Sequence, residues 1–361
     1  MTKLRDICRF QSGGTPSRGT PAYFNGNVPW ITTVALNGDV IDGNQAIEWI
    51  TDEAIAKSAA KIVPPHSVMV GTRVGIGKVA INSVPMSTSQ DIISLIGIDE
   101  NKWDKKFICH LITANKEHLT SQARGATIKG IKIEAIADLV LPEISLKEQA
   151  RISEVIGKVD ALMHMHQQMA MNLEQLIKSR FIELFGEPLS NQKGWQTMSI
   201  VEAAPIKSQR GDLADEVWLL NLDAVEAQTG TVLFKHRVQS GEINASTVYF
   251  TAESVLYSKL RPYLNKVVMP DEDGVATSEM IPMYPLADRL NRAYLCSWLR
   301  SDVFVRHISE KVAGAKMPRV SMDYFRSLAI EMPPLELQEQ FAAFVEQTDK
   351  SKLCGKMGVA A

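Results

Sequence analysis

At 361 residues, with 45% hydrophobic and 22% charged side chains, 22 Gly and 16 Pro, the chain has the composition of an ordinary globular protein long enough for two domains, or three. Disorder and collagen-like repeats are excluded. Lys and Arg total 39 against 41 Asp and Glu, a formal net charge of -2, so the molecule as a whole is no electrostatic glue for nucleic acid or an anionic membrane. Any polyanion has to be met by a local patch. The opening MTKLRDICRF lacks the apolar core of a signal peptide, and Cys8, Cys109, Cys296 and Cys354 lie far apart with no CxxC pair, which predicts a cytoplasmic protein with reduced thiols. No run approaches the 18 apolar residues of a membrane span.

Taken in chain order, residues 1–144 hold short runs rich in Val and Ile, such as Val68 to Val70 and Val79 to Ile81, broken by Gly, Asn and Pro, which predicts strands and turns. Residues 104–119 then place Phe107, Ile108, Leu111, Ile112 and Leu119 at helical spacing. From Ser145 to Phe185 the texture changes: no Pro, one Gly, and Ile152, Val155, Val159, Leu162, His166, Met169, Leu173 and Leu176 alternating in steps of three and four. That is a heptad-like seam on a helix of roughly 60 Å, ended by Gly186-Glu187-Pro188. A seam of this length either packs along its own domain or pairs with another helix or subunit.

Residues 191–333 repeat the first segment. Trp30 is echoed by Trp218, Ser67-Val68-Met69-Val70 by Ser254-Val255-Leu256-Tyr257, and Thr88-Ser89-Gln90 by Thr277-Ser278-Glu279. Phe107-Ile108-Cys109 matches Tyr294-Leu295-Cys296, Gly125-Ala126 matches Gly314-Ala315, and Leu141-Pro142 matches Met332-Pro333, all at one period near 188 residues. The expected architecture is α+β: two tandem mixed α/β domains, at 1–144 and 191–333, separated by a long coiled-coil-type helix at 145–190. A shortened distal helix and tail occupy 334–361. After Lys352 the tail LCGKMGVAA keeps no seam, so two to three turns are expected there.

Catalytic motifs are missing. GTRVGIGK at 71–78 has five residues before its Gly-Lys pair and Val79 after it, so it departs from a phosphate loop and reads as a turn between strands. Neither an Asn-Pro-Pro-Tyr-like tetrad nor an FxGxG cofactor loop occurs. Asp271-Glu272-Asp273 reads as a solvated turn, and His164 and His166, two apart on a helix, cannot share a metal. His166 in the seam reads as a register-setting polar residue. No catalytic residue and no metal site is assigned.

The charge is uneven. Neither repeat is basic as a whole, with 15 basic and 14 acidic residues in 1–144 and 16 and 17 in 191–333. Lys116 to Lys132 nevertheless hold four basic residues against Glu117 alone, and Arg300 to Arg326 hold six against three acidic ones, at matching places around the two Gly-Ala turns. Arg and Lys on short loops can pair with phosphates, and Arg can also read guanine edges. A duplicated loop would do this twice. A different class, a coiled-coil assembly or regulatory protein binding protein partners without DNA, would show no steep salt dependence.

The helical motifs LPEISLKEQARISEVIGKVDAL at 141–162, KSRFIELFGEP at 178–188 and MPPLELQEQFAAFVEQTDKSK at 332–352 resemble those of the specificity subunit of type I restriction-modification enzymes. LRDICRFQSGGTPSR at 4–18 and the GATIKG loop at 125–130 add to the resemblance, which covers nearly the entire chain. It implies a DNA-reading scaffold without an active site, each domain recognising one half of a split double-stranded target. The helices would set the gap and dock methyltransferase subunits, two of them. S-adenosylmethionine would come with those subunits, ATP and Mg with a restriction/translocase subunit, and no cofactor would bind this chain. Carried onto this sequence, the DNA contacts are Arg73, Lys78, Arg124, Lys129 and Lys132, then Lys259, Arg261, Lys266, Lys316 and Arg319. The second conserved helix departs from the family in being short, which would leave the seam from Ile152 to Leu176 partly unpaired and open to self-association.

Overall fold

The computed structural model describes residues 1–38, 40–125, 129–207, 214–244, 246–314 and 316–360, with side chains in the last helix described as far as Lys352. Two compact units, Met1–Leu162 and Met163–Ala361, divide the chain within the long helix Leu146–Phe185. Among the described residues no helix is long and apolar enough to cross a membrane.

The first unit carries β1 (Arg9–Ser12), β2 (Val28–Ile31), β3 (Val40–Ile41), β4 (Glu48–Ile50), β5 (Ile62–Val63), β6 (Val68–Gly71), β7 (Val79–Asn82), β8 (Met86–Thr88) and β9 (Ile92–Ile96). They form two sheets, ordered β1-β9-β6-β7-β3 and β4-β2-β8-β5. Because side chains alternate along a strand, Val68 and Val70 of β6 face the helical layer of Ile108 and Ile112, while Met69, with Ile92 of its own sheet, packs against Ile31 and Met86 of the second sheet. A strand buried on both faces has to be apolar throughout, and VMVG is.

The second unit repeats this plan with β10 (Gln196–Ser199), β11 (Glu216–Leu220), β12 (His236–Gln239), β13 (Thr247–Phe250), β14 (Val255–Ser258), β15 (Val267–Val268), β16 (Gly274–Thr277), β17 (Met280–Met283), β18 (Val312–Ala313), β19 (Arg319–Val320) and β20 (Ala329–Met332). One sheet is ordered β12-β11-β16-β13 and another β15-β14-β17, the counterparts of β4-β2-β8-β5 and of β7-β6-β9. Even the register recurs. Trp30 stands opposite Ser87 in a parallel pair and opposite Glu48 in an antiparallel one, and Trp218 stands opposite Gly274 and Arg237 in the same senses. Along β14, Val255 and Tyr257 face the helices carrying Leu295 and Trp298, whereas Leu256 joins Trp218, Phe250 and Val268.

The long helix starts on a capping box, Ser145 Oγ accepting from the Glu148 amide at 3.2 Å while Glu148 reaches back to Ser145. It stops at Gly186, whose φ of +83° is the left-handed turn that glycine adopts without strain. Its last apolar turn points Ile177, Phe181 and Phe185 into the second unit, where Phe181 stacks on Tyr294 and the Phe181–Phe341, Phe185–Tyr294 and Phe185–Phe341 pairs meet edge to face, at centroid distances of 4.8–5.6 Å.

The α+β class and the long helix agree with the sequence reading, and two expectations need correction. The helical stretch 104–119 is two helices, Lys105–Ala114 and Lys116–Ser121, broken at Asn115, whose side chain donates to the Leu111 carbonyl; its counterpart breaks at Ser301 into Arg292–Arg300 and Asp302–Ser309. The distal helix is longer than two to three turns, running from Leu335 to Ala360 over 26 residues. Loss of the apolar seam does not stop a helix; Pro or a capping turn does, and LCGKMGVAA contains no Pro.

Candidate nucleic-acid interface

In the first unit the β6–β7 connection is a tight turn built on Gly75 and Gly77, both at positive φ near +76°. It exposes Arg73 and Lys78. Two tethers fix it: the Thr72 amide donates to the Asp91 carbonyl at 2.8 Å, and the Ile131 amide donates to the Thr72 carbonyl at 2.8 Å. The second tether brings in the neighbouring loop, which closes on itself through reciprocal backbone bonds between Arg124 and Gly130. Arg124, Lys129 and Lys132 are exposed there. Ala126, Thr127 and Ile128, the middle of the GATIKG loop, lie outside the described residues.

The second unit builds the same junction. The Lys259 amide donates to the Glu279 carbonyl at 3.0 Å, and the Val320 amide donates to the Lys259 carbonyl at 3.0 Å. These bonds repeat those of Thr72, Asp91 and Ile131 one period later. Here the hairpin of β18 and β19 replaces the Arg124–Gly130 loop, and the Arg261 amide donates to the Pro318 carbonyl at 2.7 Å. Arg261, Lys316 and Arg319 are exposed and Lys259 is half-buried; Ala315 lies outside the described residues. Arg261 itself holds a left-handed φ of +51°, a strained position for a side-chain-bearing residue of order 1 kcal/mol.

The fold therefore places the ten candidate DNA contacts around two equivalent junctions. Lys266 takes the place of Lys78, its carbonyl accepting from the Ser258 amide as that of Lys78 accepts from Gly71, but its ammonium donates to the Leu222 carbonyl at 2.6 Å, and burial holds its pKa below the usual lysine range against an opposing pull from Asp223. The sequence left three features unassigned. Exposed Lys116, counted there only within the basic stretch and not among the contacts, packs along Gly77 beside Lys78. Both junctions carry an acid one period apart: Arg73 lies 3.6 Å from Asp91, and Arg319 makes a close ion pair with Glu279. The third is a buried glutamine at each helix start. Gln149 accepts from the Asp104 amide and donates to the carbonyls of Lys102 and Ile144; Gln338 accepts from the Asn291 amide and donates to those of Arg289 and Pro333. The sequence signal was available, a polar residue at a core position in SLKEQ and again in LELQEQ.

Docking of the long helix onto the first unit thus runs through Gln149 and buried Ser153, which donates to Asp104 at 2.8 Å. The seam lies elsewhere. Ile152, Val155, Val159, Leu162, Met169 and Leu176 are exposed, and His166 and Leu173 are half-buried.

The remaining chemistry is structural. Asp271 and Glu272 pair with Lys235 and Arg237, and Asp273 accepts from the Ala252 amide. Among the described residues no three His, Cys, Asp or Glu side chains cluster as a metal site. Cys8 and Cys109 are free, their pKa values pushed up to about 12 by burial, and Cys296 is free and raised by burial as well.

A type I restriction modification DNA specificity domain model matches residues 1–175. The chain is 23% identical to the specificity subunit of the type I restriction enzyme MjaIX from Methanocaldococcus jannaschii, over 96% of this chain and 85% of that subunit. It is 30% identical to the EcoR124I/EcoR124II specificity subunit from Escherichia coli over 44% of this chain and 40% of that one. A crystal structure of the S subunit of a type I restriction-modification system from M. genitalium superposes with a TM-score of 0.56, at 14% identity, over 99% of this chain and 91% of that chain. A second structure, described as the basis of complex assembly and conformational transition of the type I restriction-modification system, matches with the same score and identity over 99% of this chain and 92% of that one.

Proposed function

Since this chain belongs to the family of type I restriction-modification specificity subunits, we propose that it reads DNA sequence for such a complex, each unit recognising one half of a bipartite target. The duplicated basic junction carries this reading: two sets of cations, held by the same backbone bonds one period apart, can meet two stretches of duplex in the same way. Residues 1–144 and 191–333 serve as the recognition domains, and residues 145–190 and 334–361 as the helices that set the gap and dock two methyltransferase subunits. Arg73, Lys78, Arg124, Lys129, Lys132, Lys259, Arg261, Lys316 and Arg319 face the DNA; Lys266 supports the second turn. The exposed apolar residues of the long helix suit a protein partner. Methylation with S-adenosylmethionine, and ATP- and Mg-dependent translocation and cleavage, fall to partner subunits in the cytoplasm.

The test is selection from a random DNA pool by the chain together with its methyltransferase partner. Recovery of a two-part motif is expected, with affinity falling by a slope of about 0.9 in log salt per neutralised phosphate. Recovery of no motif, with a flat salt response, overturns the proposal.

A further inference from the structure

The geometry points to Arg319 as the residue of the second junction that reads a base, a guanine edge, with Glu279 as its positioning partner; this inference rests on the DNA-reading function proposed above. Arg319 Nε donates to both carboxylate oxygens of Glu279, at 3.0 and 3.2 Å, and Nη2 donates to one of them at 2.8 Å. That is a side-on pair. It occupies the Nε–Nη2 edge of the guanidinium and leaves the end-on edge, Nη1 with the second Nη2 hydrogen, without a partner among the described residues. The free edge is the two-pronged donor that fits the O6 and N7 acceptors of guanine in the major groove.

Glu279 is itself fixed. Its carbonyl accepts from the Lys259 amide at 3.0 Å, its amide donates to Thr277 Oγ1 at 3.2 Å, and its side chain is 19% exposed against 44% for Arg319. The acid is anchored in the fold and the arginine projects from it, so the fork is oriented before DNA arrives. Orientation matters because a base contact needs two acceptors met at once, whereas a phosphate contact needs only charge. Lys316 and Arg261, exposed beside it, have no ion-pair partner among the described residues and suit the phosphate role. In the first junction Asp91, the counterpart of Glu279, is met by Arg73 only at 3.6 Å, so the two units present different forks on one frame.

The experiment measures binding of the full chain, with its methyltransferase partner, to the selected target and to single-base variants of it. The unaltered protein is expected to prefer guanine at one position of the half read by the second domain. Arg319→Lys keeps the charge but replaces the rigid planar fork with a flexible ammonium that Glu279 cannot aim, so that preference should fall about 10- to 100-fold while the salt slope stays the same. Glu279→Gln, which leaves Arg319 in place but removes its anchor, should relax the same position by a smaller factor. Full retention of every base preference in Arg319→Lys overturns the role of Arg319 alone. An unaltered protein with no base preference anywhere overturns the DNA-reading function and this inference together.

Discussion

Single residues in this protein act through the partners that hold them. Glu174 on the long helix receives Arg300 at 2.6 Å and Lys352 at 2.9 Å, all three largely buried. Burial by itself would raise the Glu174 carboxyl, but the two cations outweigh it and hold it below its ordinary value of 4.5. A carboxyl depressed in the folded chain stabilises above its unfolded pKa, and that contribution is lost as pH falls through the folded one. Glu174→Gln should therefore cost about 2 kcal/mol at pH 7 and progressively less below about pH 4.5, measured by denaturant unfolding across pH. An equal loss at pH 7 and pH 3 would show that the cluster contributes packing instead of charge. This triad was invisible in the sequence, because its members are 126 and 52 residues apart and nothing in their spacing marks them as neighbours.

Elements are joined by a few specific contacts. Phe341 of the distal helix is fully buried between Phe181 and Phe185, and Phe341→Ala should destabilise the second unit by about 3–5 kcal/mol, seen as a lower midpoint for the unfolding of that unit. The paired glutamines act differently. Gln149 and Gln338 are at most 1% exposed and each satisfies three backbone groups between a helix start and its domain. Gln149→Leu preserves volume but strands those groups, at a cost of about 1–3 kcal/mol. It should also broaden the range of half-site separations recovered in DNA selection, since the helix would no longer be held at one angle. An unchanged separation would restrict the glutamine to stability. Helical periodicity made the long helix legible from Ser145 to Phe185, and its bounds hold to a residue. The distal helix was misjudged because an apolar seam reports what a helix packs against, not how far it runs.

Across the whole molecule, the near-neutral total conceals two basic junctions whose cations were legible from the repeat, while the acids beside them were not. Asp91 and Glu279 belong to loops remote in sequence from the hairpin and turn they touch, so only the fold brings them in. Changing Arg124, Lys129 and Lys132 together to Ala should weaken every DNA sequence alike and lower the log-salt slope by up to ~3, read from binding titrations at several ionic strengths. A loss confined to one base position would reassign one of the three as a reader.

The recurrence of one glutamine socket at both helix starts has a consequence for how such a chain can change. A domain that carries Lys102, Asp104 and Ile144, or their counterparts Arg289, Asn291 and Pro333, presents the same three backbone groups to whichever helix follows it. The two units thus share one fitting at their helix starts, so an exchange of one for the other would leave these three bonds unchanged.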